Sequence, residues 1–166
     1  MLKYLSKKKN FILDKENIYP FLIILFIFSL DRISKIEILK KFSEEAYIFN
    51  DYINIDLIWN TGIGFGLFSF ESSLIYNLIS FIIGVVIIIL FYISLISKKK
   101  DKLIFSIILG GAIGNFYDRL FYYAVPDFID LHYLNFHWFT FNIADIFITL
   151  GIIAFVVKDF FVKTSK

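Results

Sequence analysis

The 166-residue sequence contains no cysteine, which excludes disulfide bonds, thiol catalysis and cysteine-ligated metal sites. The chain itself therefore carries no lipid attached to a cysteine. A strong excess of one charge is also lacking, because the formal net charge is only +2, and this gives no indication of nucleic-acid binding. The sequence shows neither an internal repeat nor a dividing linker, so we expect a single domain over residues 1–166.

Hydrophobic residues are abundant: they make up 58% of the chain, against about 45–50% in an ordinary soluble domain. The mean hydropathy of +0.74 indicates an integral membrane protein. Lysines precede the first apolar run, Ile18–Leu30, as in a signal peptide. However, the run ends in Asp31-Arg32-Ile33-Ser34-Lys35 and not in a small-residue cleavage site. We therefore predict a retained first helix.

The apolar pattern predicts four membrane spans, each near the roughly 20 residues that a helix needs to cross a bilayer. They lie at about residues 18–39, 72–97, 103–125 and 140–157. The outer segment 40–71 has strand-like composition at 46–49 and 52–59, which predicts a small sheet lying on the helices. The expected fold class is thus a membrane all-α protein with four transmembrane helices and a small extracytoplasmic β-sheet between helices 1 and 2.

Charge predicts the orientation of these spans. With four spans, both termini and the loop at 97–102 share one side, which holds twelve of the seventeen basic and four of the fifteen acidic residues. Lysine-rich loops stay in the cytoplasm, so both termini are predicted to be cytoplasmic in a bacterial cell membrane. The second outer segment, 126–139, is rich in aromatic residues, and Trp59, Tyr133 and Trp138 are typical of a membrane-interface belt.

Two aspartates lie inside predicted spans at matching depth. Asp118 follows Lys102 by sixteen residues and Asp145 precedes Lys158 by thirteen. At about 1.5 Å per helical residue, they lie roughly 24 Å and roughly 20 Å from the lysine-marked boundary. Ionisable groups are costly at such depth and usually functional. We therefore predict that Asp118 and Asp145 form an acid/base pair near the outer face.

An asparagine lies three residues before each aspartate, so Asn115 and Asn142 share a helical face with them. Two carboxylates suit peptide hydrolysis, because an ionised one accepts a proton from water while a protonated one donates to the carbonyl oxygen or the leaving amine. Alternative interpretations remain. Asn142 would cap a helix, and Asp118 with Arg119 would form a snorkelling pair at the membrane surface.

Other polar positions allow a structural and a functional interpretation. Asp31 and Lys35 form an i, i+4 pair that either fixes the end of the first helix or contacts a ligand. Glycines at alternate positions from Gly62 to Gly66 favour an extended segment or a plain turn. The spacing of His132 and His137 does not place both on one helical face, so we expect no metal site.

Five ordered blocks of this sequence resemble the lipoprotein signal peptidase family, also called signal peptidase II. The blocks are Asp31–Lys35, Asn60–Phe65, Gly110–Arg119, Val125–Ile129 and Phe141–Asp145. The resemblance implies an aspartic intramembrane peptidase that removes signal peptides from diacylglyceryl-modified bacterial prolipoproteins, cleaving just before the lipidated cysteine. It also implies no cofactor and no nucleic-acid partner. The implied partners are lipid-modified prolipoproteins, membrane lipids and globomycin-type inhibitors.

The same resemblance assigns roles to individual residues. Asp118 and Asp145 match the catalytic dyad. Positions that bind or support the substrate are matched by Asn60, Gly62, Asn115, Arg119 and Asn142, and structural or supporting positions by Asp31, Lys35, Gly111, Asp127 and Ala144. The sequence departs from the usual family residues at Arg32, Gly64 and Pro126.

Two other classes of function are compatible with intramembrane charge. A small proton-coupled transporter is one, although many carriers show repeats and interrupted helices near mid-membrane, and this sequence has no visible repeat. The other is a non-catalytic scaffold in which both Asn-Asp pairs only pack helices.

Overall fold

The structure, a computed structural model, describes residues 15–42, 46–62 and 73–164. The N-terminal lysines, Gly64 and Gly66 lie outside the described residues. Within the described ranges the chain forms four long helices. We number them α1 (Lys15–Lys41), α2 (Ser73–Ile96), α3 (Lys99–Phe121) and α4 (Ile143–Thr164).

Helix α3 lies at the centre of the bundle and packs against the other three helices. Small residues allow this close packing. A Cβ atom built on Gly111 would lie 2.5 Å from the backbone oxygen of Ala144 in α4, and one built on Gly114 would lie 2.5 Å from Asp31 Oδ2 in α1. The glycines of α3 therefore allow α1 and α4 to pack closely against neighbouring turns of α3.

The outer faces of the helices are apolar. Two helices in the described part are long and apolar enough to cross a membrane, Leu74–Ile96 and Lys99–Phe121. Helices α1 and α4 also expose large hydrophobic side chains, such as Phe26 at 64% and Phe160 at 67%. Exposed apolar side chains along α1, α2 and α4 are typical of a protein in contact with lipid.

A four-stranded antiparallel sheet covers one end of the bundle. Its strands are β1 (Tyr47–Ile48), β2 (Ile53–Asn60), β3 (Val125–Tyr133) and β4 (Phe136–Phe141), in the order β1-β2-β3-β4. The predicted sheet between the first two helices is confirmed for β1 and β2. Strands β3 and β4 were not predicted, because segment 126–139 was interpreted only as an aromatic belt. Strand β3 pairs with β2, whose residues are remote in sequence, and such pairing leaves little local signal.

Two predicted span boundaries were wrong for the same reason. The third span was expected to reach residue 125, but α3 ends at Phe121 and Val125 already pairs with Asn60 in the sheet. The fourth span was expected from residue 140, but Thr140 pairs with Asp130 in β4, and α4 begins at Ile143. Apolar strand residues next to an apolar helix look like a continuation of the span.

The glycine packing generates a stability prediction. We expect Gly111→Ala to lower the free energy of unfolding by about 1–3 kcal/mol, because the new methyl group meets a backbone carbonyl that cannot rotate away. Gly84→Ala is the matched control, since its Cβ would meet only the mobile ring of Phe116 at 3.0 Å. Thermal unfolding in detergent, followed by tryptophan fluorescence, measures both. Equal midpoints for the two variants would contradict the prediction.

Candidate active site

The N-terminus of α4 is held by a reciprocal cap. Asn142 Oδ1 accepts a hydrogen bond from the backbone N–H of Asp145 at 3.0 Å, and Asp145 Oδ2 accepts one from the backbone N–H of Asn142 at 3.2 Å. This confirms the capping role that the sequence allowed for Asn142. The backbone N–H of Ala144 donates to Asp31 Oδ1 of α1 at 3.1 Å. The first turn of α4 therefore holds Asp145 where the helix dipole favours an anion.

Strand β3 supplies a second carboxylate close to this helix terminus. Asn60, the last residue of β2, lies opposite Val125, so its side chain reaches Asp127 two positions along β3. Asn60 Nδ2 donates to Asp127 Oδ2 at 2.8 Å, and Asn142 Nδ2 donates to Asp127 Oδ1 at 2.6 Å. The Asn142 side chain therefore bonds Asp127 through its amino group and the Asp145 backbone through its oxygen.

The environment of Asp127 brings the pKa of its carboxyl group close to neutral pH. Burial raises the pKa of Asp127 from 3.8 to about 7, and the nearby Asp145 carboxylate adds to the rise. Hydrogen bonds from Asn60 and Asn142 act in the opposite direction. A carboxyl group with this pKa, next to a second carboxyl group, suits general acid–base catalysis.

Both carboxyl groups open onto one cavity of about 230 Å³. Apolar side chains from α2, α3, β3 and α4 form part of its wall. The polar residues that line it are Asn60, Asn115, Arg119, Asp127, Asp145 and Thr149. The structure thus brings most of the residues expected to bind substrate to one place. An apolar cavity with a few convergent polar groups is the usual form of a ligand site.

Asp118 lies in a different environment. Its side chain is fully buried, with Lys35 Nζ 2.7 Å from one oxygen and Arg32 Nη1 2.6 Å from the other. Asp118 is not among the residues that line the cavity. Two adjacent cations balance the charge of this carboxylate, which suits a structural ion pair better than an acid/base catalyst. The geometry therefore favours Asp127 over Asp118 as the partner of Asp145.

The sequence analysis missed the position of Asp127 on the cavity and the contacts of Tyr76 with Arg119. Asp127 was assigned a supporting role, because the depth argument applied only to residues in helices. The sequence did contain one signal: Asp127 lies only a few residues after the end of the third predicted span, at the same end of the bundle as Asp145. Tyr76 was not singled out, yet its ring lies 5.7 Å from the Arg119 guanidinium and its hydroxyl donates to the Arg119 backbone oxygen at 3.2 Å. Arg119 also donates to the backbone oxygen of Gly62.

The two histidines lie in the sheet, away from this cavity. His137 Nδ1 is 2.7 Å from Asp130 Oδ2, and the rings of His132 and His137 stack with their centroids 5.3 Å apart. Among the residues that the structure describes, no cluster of three or more His, Asp or Glu side chains suits a metal ion.

Comparison with known proteins shows the family of this chain. The sequence profile of the family described as signal peptidase (SPase) II matches residues 23–161. The chain belongs to the signal peptidase II family. A lipoprotein signal peptidase of Pelagibacter ubique is 46% identical over 162 residues, covering 95% of this chain and 93% of the relative. One from Anaplasma phagocytophilum is 37% identical over 149 residues, covering 87% of this chain and 94% of the relative.

The fold also matches that of solved structures. A bacterial membrane enzyme matches with a TM-score of 0.73 and 26% identity, over 89% of this chain and 91% of the other. The chain is therefore a peptidase of the lipoprotein-processing signal peptidase II family and a membrane protein, which confirms the family predicted from the sequence.

The raised pKa of Asp127 predicts how stability depends on pH. The folded state favours the protonated carboxyl of Asp127. Its contribution to the free energy of unfolding is therefore largest below the ordinary pKa of 3.8 and is lost as pH rises towards about 7. We expect the unfolding temperature to fall between pH 5 and pH 8, and to fall less in Asp127→Asn, whose side chain does not titrate. Thermal scans of both proteins in detergent measure the difference. Equal slopes would contradict the assignment.

Proposed function

We propose that this chain is an aspartic intramembrane endopeptidase that removes signal peptides from diacylglyceryl-modified bacterial prolipoproteins, cleaving before the lipidated cysteine. The single observation that carries this proposal is the pair Asp127 and Asp145, two carboxyl groups on one cavity beside an apolar bundle. The relatives named lipoprotein signal peptidase support the substrate class.

The two carboxyl groups have different surroundings, which supports different roles. Asp145 accepts hydrogen bonds from the Asn115 side chain and the Asn142 backbone at the positive end of α4, and this favours its ionised form. Asp127 is buried, and its pKa of about 7 leaves much of it protonated at neutral pH. These contacts support Asp145 as the proton acceptor and Asp127 as the proton donor at the start of the reaction.

In the proposed reaction a water molecule in the cavity attacks the carbonyl carbon of the scissile peptide bond. Asp145 takes a proton from the water while Asp127 gives its proton to the carbonyl oxygen, which leaves a neutral gem-diol. The C–N bond then breaks. Asp145 returns its proton to the leaving amine, and a gem-diol hydroxyl returns a proton to Asp127 as the new carboxyl group forms. Both residues end in their starting states.

Substitution of the aspartates tests this assignment against the pair predicted from the sequence. We expect Asp127→Asn and Asp145→Asn to lower cleavage of a purified diacylglyceryl-modified precursor by at least about 10³-fold, since each removes a proton-transfer group. Asp118→Asn should keep measurable activity, because Asp118 binds Lys35 and Arg32 and does not line the cavity.

A gel assay of precursor cleavage, with and without a globomycin-type inhibitor, measures these rates. Circular dichroism of each variant shows that it is folded. An inactive but folded Asp118→Asn protein together with an active Asp127→Asn protein would restore Asp118 as the partner of Asp145. Uptake of a substrate into proteoliposomes that depends on Asp118 would favour the transporter instead.

We also propose that all four helices cross the bacterial cytoplasmic membrane, with both termini in the cytoplasm and the sheet outside. The asymmetric distribution of lysine and the exposed apolar faces of α1 and α4 support this topology. The outer sheet then places the cavity near the external leaflet, where membrane lipids would hold the acyl chains of the substrate.

Because the chain has no cysteine, single cysteines can test this topology. Leu134 lies in the exposed turn between β3 and β4, and Lys100 lies exposed at the start of α3. We expect a membrane-impermeant maleimide to label Leu134→Cys in intact spheroplasts and Lys100→Cys only after permeabilisation. The reverse pattern would contradict the topology.

A further inference from the structure

The ammonium group of Lys35 has an acceptor for each of its three donors. Its side chain is completely buried. Nζ lies 2.9 Å from Asp31 Oδ2, 2.8 Å from Asn115 Oδ1 and 2.7 Å from Asp118 Oδ2. Two of these contacts are ion pairs. The third, to a neutral amide that faces the cavity, is not needed for charge balance.

This third contact fixes the orientation of the Asn115 amide. An ammonium group only donates hydrogen bonds, so the end of the amide that faces Lys35 must be the oxygen. The amino end must then face the other way, and Nδ2 donates to Asp145 Oδ1 at 2.8 Å. An amino group also only donates, so it stabilises the ionised form of the Asp145 carboxyl group.

Lys35 reaches the same helix terminus by a second route. Asp31 accepts from Lys35 through Oδ2 and from the backbone N–H of Ala144 through Oδ1. Ala144 directly precedes Asp145, so the cation also anchors the backbone that carries the carboxyl group. Loss of Lys35 would leave Asp31 with fewer donors and free the Asn115 amide to turn over.

Other charged groups surround Asp145 from each neighbouring element. Asp31 and Lys35 come from α1, Arg119 comes from α3, and Asp127 comes from β3 across the cavity. Among these groups only Lys35 is linked to the Asp145 side chain through one intervening side chain.

We propose that Lys35 is a positioning residue for the hydrolytic reaction: through Asn115 it fixes which end of an amide faces Asp145, and so keeps Asp145 as the ionised carboxylate that accepts a proton from water. The inference rests on the proposed function for its catalytic meaning. Its structural content, the ionised state of Asp145, can be measured independently.

A simple Lys35→Met variant would leave Asp31 and Asp118 buried with one cation between them. The test therefore compares Asp118→Asn with the double variant Lys35→Met/Asp118→Asn. The double variant loses one cation and one anion and keeps the contact of Arg32 with Asp31, at 3.4 Å. The single variant keeps the hydrogen bond of Lys35 with Asn115. The two proteins therefore differ in the hydrogen-bonded chain from Lys35 through Asn115 to Asp145, which we call the relay.

Infrared spectroscopy of the purified proteins at pH 7 gives the first measurement. We expect the double variant to show an additional C=O stretch of a protonated carboxyl group that is missing from Asp118→Asn. Adding Asp145→Asn should remove this band. Asn115→Ala in an otherwise unchanged chain should produce the same band, and it provides a second variant if the double variant does not fold. A folded protein of either kind without the band would overturn the inference.

Kinetics of precursor cleavage give the second measurement. We expect kcat of the double variant to be at least about tenfold below that of Asp118→Asn, with KM unchanged within about twofold, because the interaction acts on the proton acceptor. The acidic limb of the pH profile should move to higher pH. In an Asn115→Ala/Asp118→Asn background, adding Lys35→Met should lower kcat by a smaller factor than it does in the Asp118→Asn background, because the relay is already broken and only the route through Asp31 and Ala144 is then left to lose.

The possible failures are distinguishable. An unmodified chain that does not cleave the precursor would contradict the proposed function and leave the infrared test intact. A chain that cleaves it, with equal kcat and pH profile for Asp118→Asn and the double variant, would overturn the role of Lys35 and leave the function standing.

Discussion

Burial of charge is the constraint on which this structure depends. Asp31, Lys35 and Asp118 are completely buried between helices with apolar outer faces, where an unpaired charge would cost several kcal/mol. Lys35 compensates these charges because it binds the carboxylates of both Asp31 and Asp118. Arg32 adds a second cation at Asp118. The glycines of α3 make the arrangement possible, because a side chain at Gly114 would occupy the place of the Asp31 carboxylate.

The active-site geometry follows from this cluster. Asp31 satisfies a backbone N–H at the start of α4, and Asn115 connects Lys35 to Asp145. Asp31 thus holds the start of α4, and Asn115 holds the carboxylate of Asp145 in its first turn. The buried charges and Asp145 therefore form one network, and of its charged members only Asp145 lines the cavity. Such an arrangement holds a reactive group in place without exposing its supports to water.

The sheet provides what the helices cannot. A carboxyl group on a strand can approach the end of a helix from outside the bundle, and Asp127 does so between Asn60 and Asn142. Its two donors are neutral amides and not cations, so burial dominates and the proton stays labile near neutral pH. This contrast with Asp118, which has two cations, separates a group that can exchange protons from one that holds helices together.

The sequence by itself determined the membrane class, the four long helices, the first two strands and the family, because long apolar runs and ordered motifs are local signals. It also identified Asp145 and Asn142 near the start of the last helix, since capping is a local interaction. The tertiary structure decided which carboxyl group meets Asp145. Asp118 lies at the same depth as Asp145, but it lies on the side of α3 that packs against α1. Its side chain therefore binds Lys35 and Arg32. Asp127 came within reach through pairing of strands far apart in sequence, and no local pattern encodes that contact.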